Sequence, residues 1–385
     1  MKQNKGFLLR EIANVPYLLP YGQMIADHKP GMKLNATGVY LWKLLAQERT
    51  FSELLSLSAA YYEIPEADLA EFQTDIKQFL SQLISHGILE ASPAPPQSAT
   101  HQEWLLTIGN LGFKLLGPKA AFPPELADFV VKEAPQIHQT IVLHIGVPLV
   151  PQNGQVLLRS KELVVLEQPE QYILLFPNAA QLQEIHLKRD GSHAVCYCLP
   201  PYTDTFHYDL FHALRLLYLY LAQIKGMAAI HSASILYQDK VWLFSGRSGM
   251  GKSTHTNLWK TLYNTPVING DLNLLAFENG TPVVHGIPWC GTSGLYDRKT
   301  YPLGGIILLK QAPEDWVEEL TPDRKQLLVC QRLISPAWSP ELFDKNMDIA
   351  EKITGQVLVC KLNCTKEYSA AETIKERIDR YLAYI

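Results

Sequence analysis

Gly246-Arg247-Ser248-Gly249-Met250-Gly251-Lys252-Ser253 is the stretch on which the reading of this chain turns. It has the spacing of a phosphate-binding loop, and its flanks suit that role. Val241-Trp242-Leu243-Phe244 ahead of it reads as a buried strand, and Thr254 to Leu262 behind it reads as a helix. Glycines let the backbone take positive φ and approach a polyphosphate closely. The N–H groups then converge on one anion-sized hollow at the positive end of the helix. Lys252 supplies a mobile cation for the β- and γ-phosphates, Ser253 offers a hydroxyl to Mg²⁺, and Thr254 follows in the first helical turn. The expectation is a nucleoside triphosphate site.

Working outward, Ile230 to Leu236 and Lys240 to Phe244 read as neighbouring strands, followed by strands at Pro266 to Asn269, Leu272 to Phe277 and Pro282 to His285. Strands outnumber helices around the loop, so a simple alternating β–α order is not expected. Asp271, 19 residues past Lys252 in Asn269-Gly270-Asp271-Leu272, ends an apolar strand where it can face Mg²⁺ or a γ-phosphate. Asn-Gly-Asp is also good turn chemistry. His231 lies 15 residues before Gly246 in the adjacent strand, where a hydrogen-bonded core histidine is the plainer alternative. The segment from His285 through Trp289, Thr292 and Ser293 has the glycines and hydroxyls of a ligand-approaching loop. Arg298 and Lys299 beyond it are placed to reach phosphate oxygens or to form a solvated basic pair.

Upstream, Ala91 to Thr100 is proline-rich and aperiodic and reads as a linker. It predicts an N-terminal domain over 1–91, a linker over 92–101 and a catalytic domain over 102–385. The first of these shows strand-like segments at Phe7 to Ile12, Tyr17 to Leu19 and Gln23 to Ala26. Three helices follow: one capped by Asn35, one capped by Thr50 or Ser52, and one with the apolar stripe Leu69, Phe72, Ile76, Phe79, Leu80, Leu83. That is a small βββααα, winged-helix-like module. A DNA-binding role fits it poorly, because the third helix sets Asp68, Glu71 and Asp75 against Lys77 alone.

The 385 residues are 47% hydrophobic and 19% charged, ordinary values for a globular protein, and the formal charge of −4 argues against a nucleic-acid surface. No signal peptide and no membrane span are expected. The cysteines at 196, 198, 290, 330, 360 and 364 lack zinc spacing and read as free thiols of a reducing cytoplasm.

Two family resemblances follow from these residues. Leu34-Asn35-Ala36-Thr37-Gly38, Leu41-Trp42, Arg49-Thr50, Leu54, Asp75, Phe79-Leu80, Leu83 and Gly87-Ile88-Leu89 resemble the PqqD-like domains, recognition elements of enzymes that modify ribosomally made peptides. The resemblance implies capture of a leader peptide as an added strand. Here the implied edge is Gln23, Met24, Ile25, Ala26 and Asp27, and the groove wall carries Phe72 and Ile76. Ala229-Ile230-His231-Ser232-Ala233, the loop and Asn269-Gly270-Asp271-Leu272 are together similar to the kinase domain of HPr kinase/phosphorylase and its relatives in the phosphoenolpyruvate-carboxykinase-like fold. Gly270 stands where that family has a first carboxylate. The resemblance implies an α+β or α/β P-loop kinase fold, ATP and Mg²⁺, Asp271 as general base, His231 beside it, and Ser253 and Asp271 toward the metal. Joined, the two halves resemble the kinases that tailor lasso-type peptides. The expectation is ATP-dependent phosphorylation of a Ser or Thr on a precursor peptide, with no nucleic-acid or membrane partner and with a homo-oligomer left open. A regulatory ATPase and a small-molecule kinase are the alternatives.

Overall fold

The structure is a computed structural model that describes residues 1–27, 29–90, 102–134, 136–146, 148 and 154–384. The expected linker lies outside the described residues.

The N-terminal part runs β1 (Lys2–Gln3), β2 (Phe7–Ile12), β3 (Val15–Pro20), α1 (Gln23–Ala26), β4 (Met32–Lys33), α2 (Ala36–Leu44), α3 (Phe51–Tyr61), α4 (Leu69–Ser85) and β5 (Leu89–Glu90). β2, β3 and β4 form an antiparallel sheet in that order, and β5 returns to pair with β1. The helix starts follow from the sequence. The Asn35 side chain accepts from the Gly38 N–H at 2.7 Å, and Thr50 and Glu53 cap α3 reciprocally. Leu18, Leu41, Trp42, Leu54, Ile76 and Leu83 fill the core between sheet and helices.

Gln23 to Asp27 is not the strand edge expected from the sequence. It forms one helical turn, held by Gln23 Nε2 donating to Asp27 Oδ1 at 2.8 Å. The apolar side chains there follow helical rather than alternating geometry: Met24 packs on the core while Ile25 is 61% exposed. Ile76 is buried in the core, and Phe72 is half-buried against it.

Beyond the linker, β6 (Gln102–Ile108), β7 (Leu111–Gly117), β8 (Gln139–Ile145), β9 (Gln155–Arg159), β10 (Val164–Glu167), β11 (Gln171–Leu175), β12 (Leu182–Lys188) and β13 (His193–Cys198) build one sheet in the order β6-β7-β8-β13-β12-β11-β10-β9. Its β7–β8 and β8–β13 pairings are parallel and the rest antiparallel. The long helix α5 (Asp204–Ile224), capped by Thr203, packs between this sheet and the next.

The second sheet contains β14 (Ala228–Tyr237), β15 (Lys240–Ser245), α6 (Lys252–Tyr263) crossing over it, β16 (Val267–Asn269), β17 (Leu272–Glu278), β18 (Thr281–His285), β19 (Thr300–Gln311), β20 (Trp316–Glu319), α7 (Pro322–Cys330), α8 (Pro340–Thr354), β21 (Leu358–Cys364) and α9 (Tyr368–Leu382). β14 and β19 are long enough to serve two sets of neighbours. Their first halves pair with β17 and β18, and their second halves flank β15. β15, β19 and β21 run parallel. Alternate residues of β15 then bury on opposite faces, Trp242 and Phe244 against α6 and α9, Val241 and Leu243 toward α7 and α8. This two-sided burial fixes the strand whose C-terminal end carries the glycine loop. Helix and sheet together make a mixed α and β fold.

Candidate active site

β15 delivers the chain into the loop, and α6 begins at Lys252. Gly251, the residue before the helix, has φ +97, and Gly249 has φ +77, backbone states open to glycine at little cost. No side chain caps α6, so its first-turn amides remain available to an anion. Arg247, Ser248 and Ser253 are exposed around the mouth, Thr254 is half-buried, and Gly246 is buried beneath.

Three side chains meet beside this loop. Lys252 Nζ lies 2.7 Å from His231 Nε2, and His231 Nδ1 lies 3.2 Å from Asp271 Oδ1. An ammonium can only donate, so Nε2 accepts and the ring proton sits on Nδ1, donating to Asp271. The backbone enforces the register. The Ser232 N–H donates to the Asp271 carbonyl at 3.0 Å, and the His231 N–H donates to the Arg332 carbonyl at 3.0 Å. Buried Asn269 shapes the turn: its Oδ1 accepts from the N–H groups of Asp271 at 2.9 Å and Leu272 at 3.0 Å. Asn-Gly-Asp is therefore both a turn and the carrier of the carboxylate.

The electrostatics follow from these neighbours. The hydrogen bond from His231 holds the Asp271 carboxyl below its ordinary range, with Lys252 and Arg215 adding to the effect. Burial lowers the Lys252 ammonium, and Asp271 opposes that shift. Two arginines that spacing did not suggest complete the field. Arg215 comes from α5. Arg332 is brought to the loop by the bridge between Ile230 and Leu333, and its charge acts on Lys252. Only long-range pairing places either one, so no local motif could have revealed them.

Gly270 has no room for a side chain. A Cβ there would sit 2.2 Å from Ser293 Oγ, so the turn at Gly291–Ser293 fills the space beside Gly270. Ser293 instead donates to the Cys290 carbonyl at 2.7 Å, and Thr292 is exposed beside it. The structure does not bring His285, Trp289 or Arg298 into the Lys252–His231–Asp271 group. His285 is 1% exposed and bonded to Thr300 at 2.7 Å. Trp289 is stacked on Phe211 in the core, and Arg298 donates to the Asp128 carbonyl.

No cluster of three or more His, Cys, Asp or Glu side chains with metal-holding geometry occurs among the described residues. The six cysteines are free, and no described helix is long and apolar enough to cross a membrane. One ionised carboxylate, Asp271, and one exposed hydroxyl, Ser253, suit Mg²⁺, which commonly takes one or two carboxylates plus phosphate oxygens.

Residues 24–89 match the PqqD family, coenzyme PQQ synthesis protein D. No curated protein sequence matches the chain. Among solved structures, the HPr(Ser) kinase/phosphatase from Coxiella burnetii aligns with 40% of this chain and 97% of its own length, at 10% identity and a TM-score of 0.23.

Proposed function

We propose that the chain is an ATP-dependent kinase that phosphorylates a Ser or Thr hydroxyl of a ribosomally made peptide held by its N-terminal domain. The relay from Lys252 through His231 to Asp271 at the mouth of the glycine loop carries this reading. The loop amides and Lys252 would grip the β- and γ-phosphates, with Lys252 exchanging His231 for phosphate oxygen. Mg²⁺, held by Ser253 and Asp271, would supply charge neutralisation on the phosphates. Asp271, kept ionised by its neighbours, accepts the hydroxyl proton as the new O–P bond forms and the bond to the β-phosphate oxygen breaks, releasing ADP. His231 holds the carboxylate in place. Arg215 and Arg332 add positive charge where phosphate charge accumulates.

The PqqD match supports the peptide half of the reading. The outer edges of β2 and β4 offer backbone groups that an extended peptide can pair with. Tethering raises the local concentration of the accepting residue without tight binding at the reacting centre. Incubation with ATP and a precursor peptide, read by mass spectrometry, should yield a phosphopeptide. ATP turnover with unmodified peptide would instead indicate an ATPase.

A further inference from the structure

An open cleft of about 360 Å³ lies between α4 of the N-terminal domain and the first large sheet, within the size range of ligand-binding clefts. One wall carries Thr74, Lys77 and Gln78, and the opposite wall includes Phe176, Asn178 and Glu184. The two sides also touch where Gln73 Nε2 donates to the Pro200 carbonyl at 3.1 Å. Lys77 is the unusual member. It is 8% exposed, and its Nζ has no hydrogen-bond partner among the described residues. Glu184 across the cleft does not pair with it, being held by His186 at 2.5 Å. The Cys198 thiol near Lys77 is pushed up to about 12 by burial, so it offers no negative charge at neutral pH.

A buried ammonium without a partner is unstable in isolation, and a carboxylate arriving in the cleft satisfies it. The rest of the lining is neutral: apolar Val164, Leu175 and Phe176, with the amides of Gln78, Asn178 and Gln183. We infer that this cleft receives an acidic side chain of the bound peptide, flanked by apolar residues, with Lys77 as its charge partner. The inference rests on the reading of the N-terminal domain as a peptide holder. It adds a second contact point, formed jointly with the first large sheet, which links capture of the peptide to the body carrying the active site.

The test uses the full chain and two synthetic probes, acetyl-Ala-Leu-Glu-Leu-Ala-amide and its Gln counterpart, with butyrate as a third. Affinities are read by saturation-transfer NMR, which suits weak ligands. The Glu peptide should bind wild-type protein at least about tenfold more tightly than the Gln peptide. Lys77→Met and Lys77→Gln should erase that preference while keeping ATP binding and a melting temperature no lower than wild type. Equal binding of the two peptides, no binding of either, or a preference that survives both substitutions overturns the inference. Butyrate binding as tightly as the Glu peptide overturns the assignment to a peptide. A lost Glu preference with precursor phosphorylation intact sinks only this inference. Intact Glu preference with no phosphopeptide sinks only the kinase reading.

Discussion

In the proposed mechanism Asp271 and Lys252 act by different means, and their substitutions should separate. Lys252→Ala removes the cation proposed to grip the phosphates, so nucleotide affinity and turnover should both fall, turnover by roughly 10²–10³-fold. Asp271→Asn leaves the loop and Lys252 in place. It should keep ATP binding while lowering phosphate transfer by roughly 10²–10⁴-fold, and near-normal turnover would refute the general-base role. Lys77 gives a separate stability signature. Burial pulls its ammonium down to about 7, against about 10.4 in an unfolded chain. Between those values the unfolded state binds more protons, so stability rises with pH, by up to about 1.4 kcal/mol per unit, and the effect vanishes below pH ~7. Urea unfolding at a series of pH values should show this slope in wild type minus Lys77→Met. A flat difference would place Lys77 in water.

At the scale of elements, the turns decide the site. Gly270→Ala sets a Cβ against Ser293, and displacing the Gly291–Ser293 turn should cost about 1–3 kcal/mol. A lowered melting temperature, largely restored by adding Ser293→Gly, is the expected result. An unchanged melting temperature for Gly270→Ala would show that the turn yields freely. The glycine was legible as part of a turn, but the serine that closes over it was not. Ser293 is 23 positions away and meets Gly270 only through the tertiary fold. Elements whose signal is local were readable: the Asn35 and Thr50 caps, the α4 stripe, and the strand–loop–helix around Gly246. Gln23 to Ala26 misled because four residues between turn formers are too few to tell period two from a helical turn. The bridge between Ile230 and Leu333 had no local mark, and with it went any view of Arg332.

At the scale of the molecule, α4 lies against the first large sheet, and α5 joins that sheet to the strands carrying Asp271. The proposed path from peptide capture to phosphate transfer therefore runs through packed elements rather than through the linker alone. Deleting residues 1–95 should leave ATP binding in place but strongly reduce phosphorylation of a full-length precursor, because the tether that concentrates the hydroxyl is gone. An unchanged rate on that precursor would point to a small-molecule substrate and a different role for the N-terminal domain.

The central claim is that the amides of residues 246–253, Lys252 and Asp271 together surround a triphosphate. A crystal structure of the chain with a non-hydrolysable ATP analogue tests it most directly. The account predicts the β- and γ-phosphates cradled by the loop, Lys252 Nζ drawn from His231 to phosphate oxygen, and the Asp271 carboxylate facing the γ-phosphate. Nucleotide bound elsewhere, or Asp271 turned away from the γ-phosphate, would contradict it.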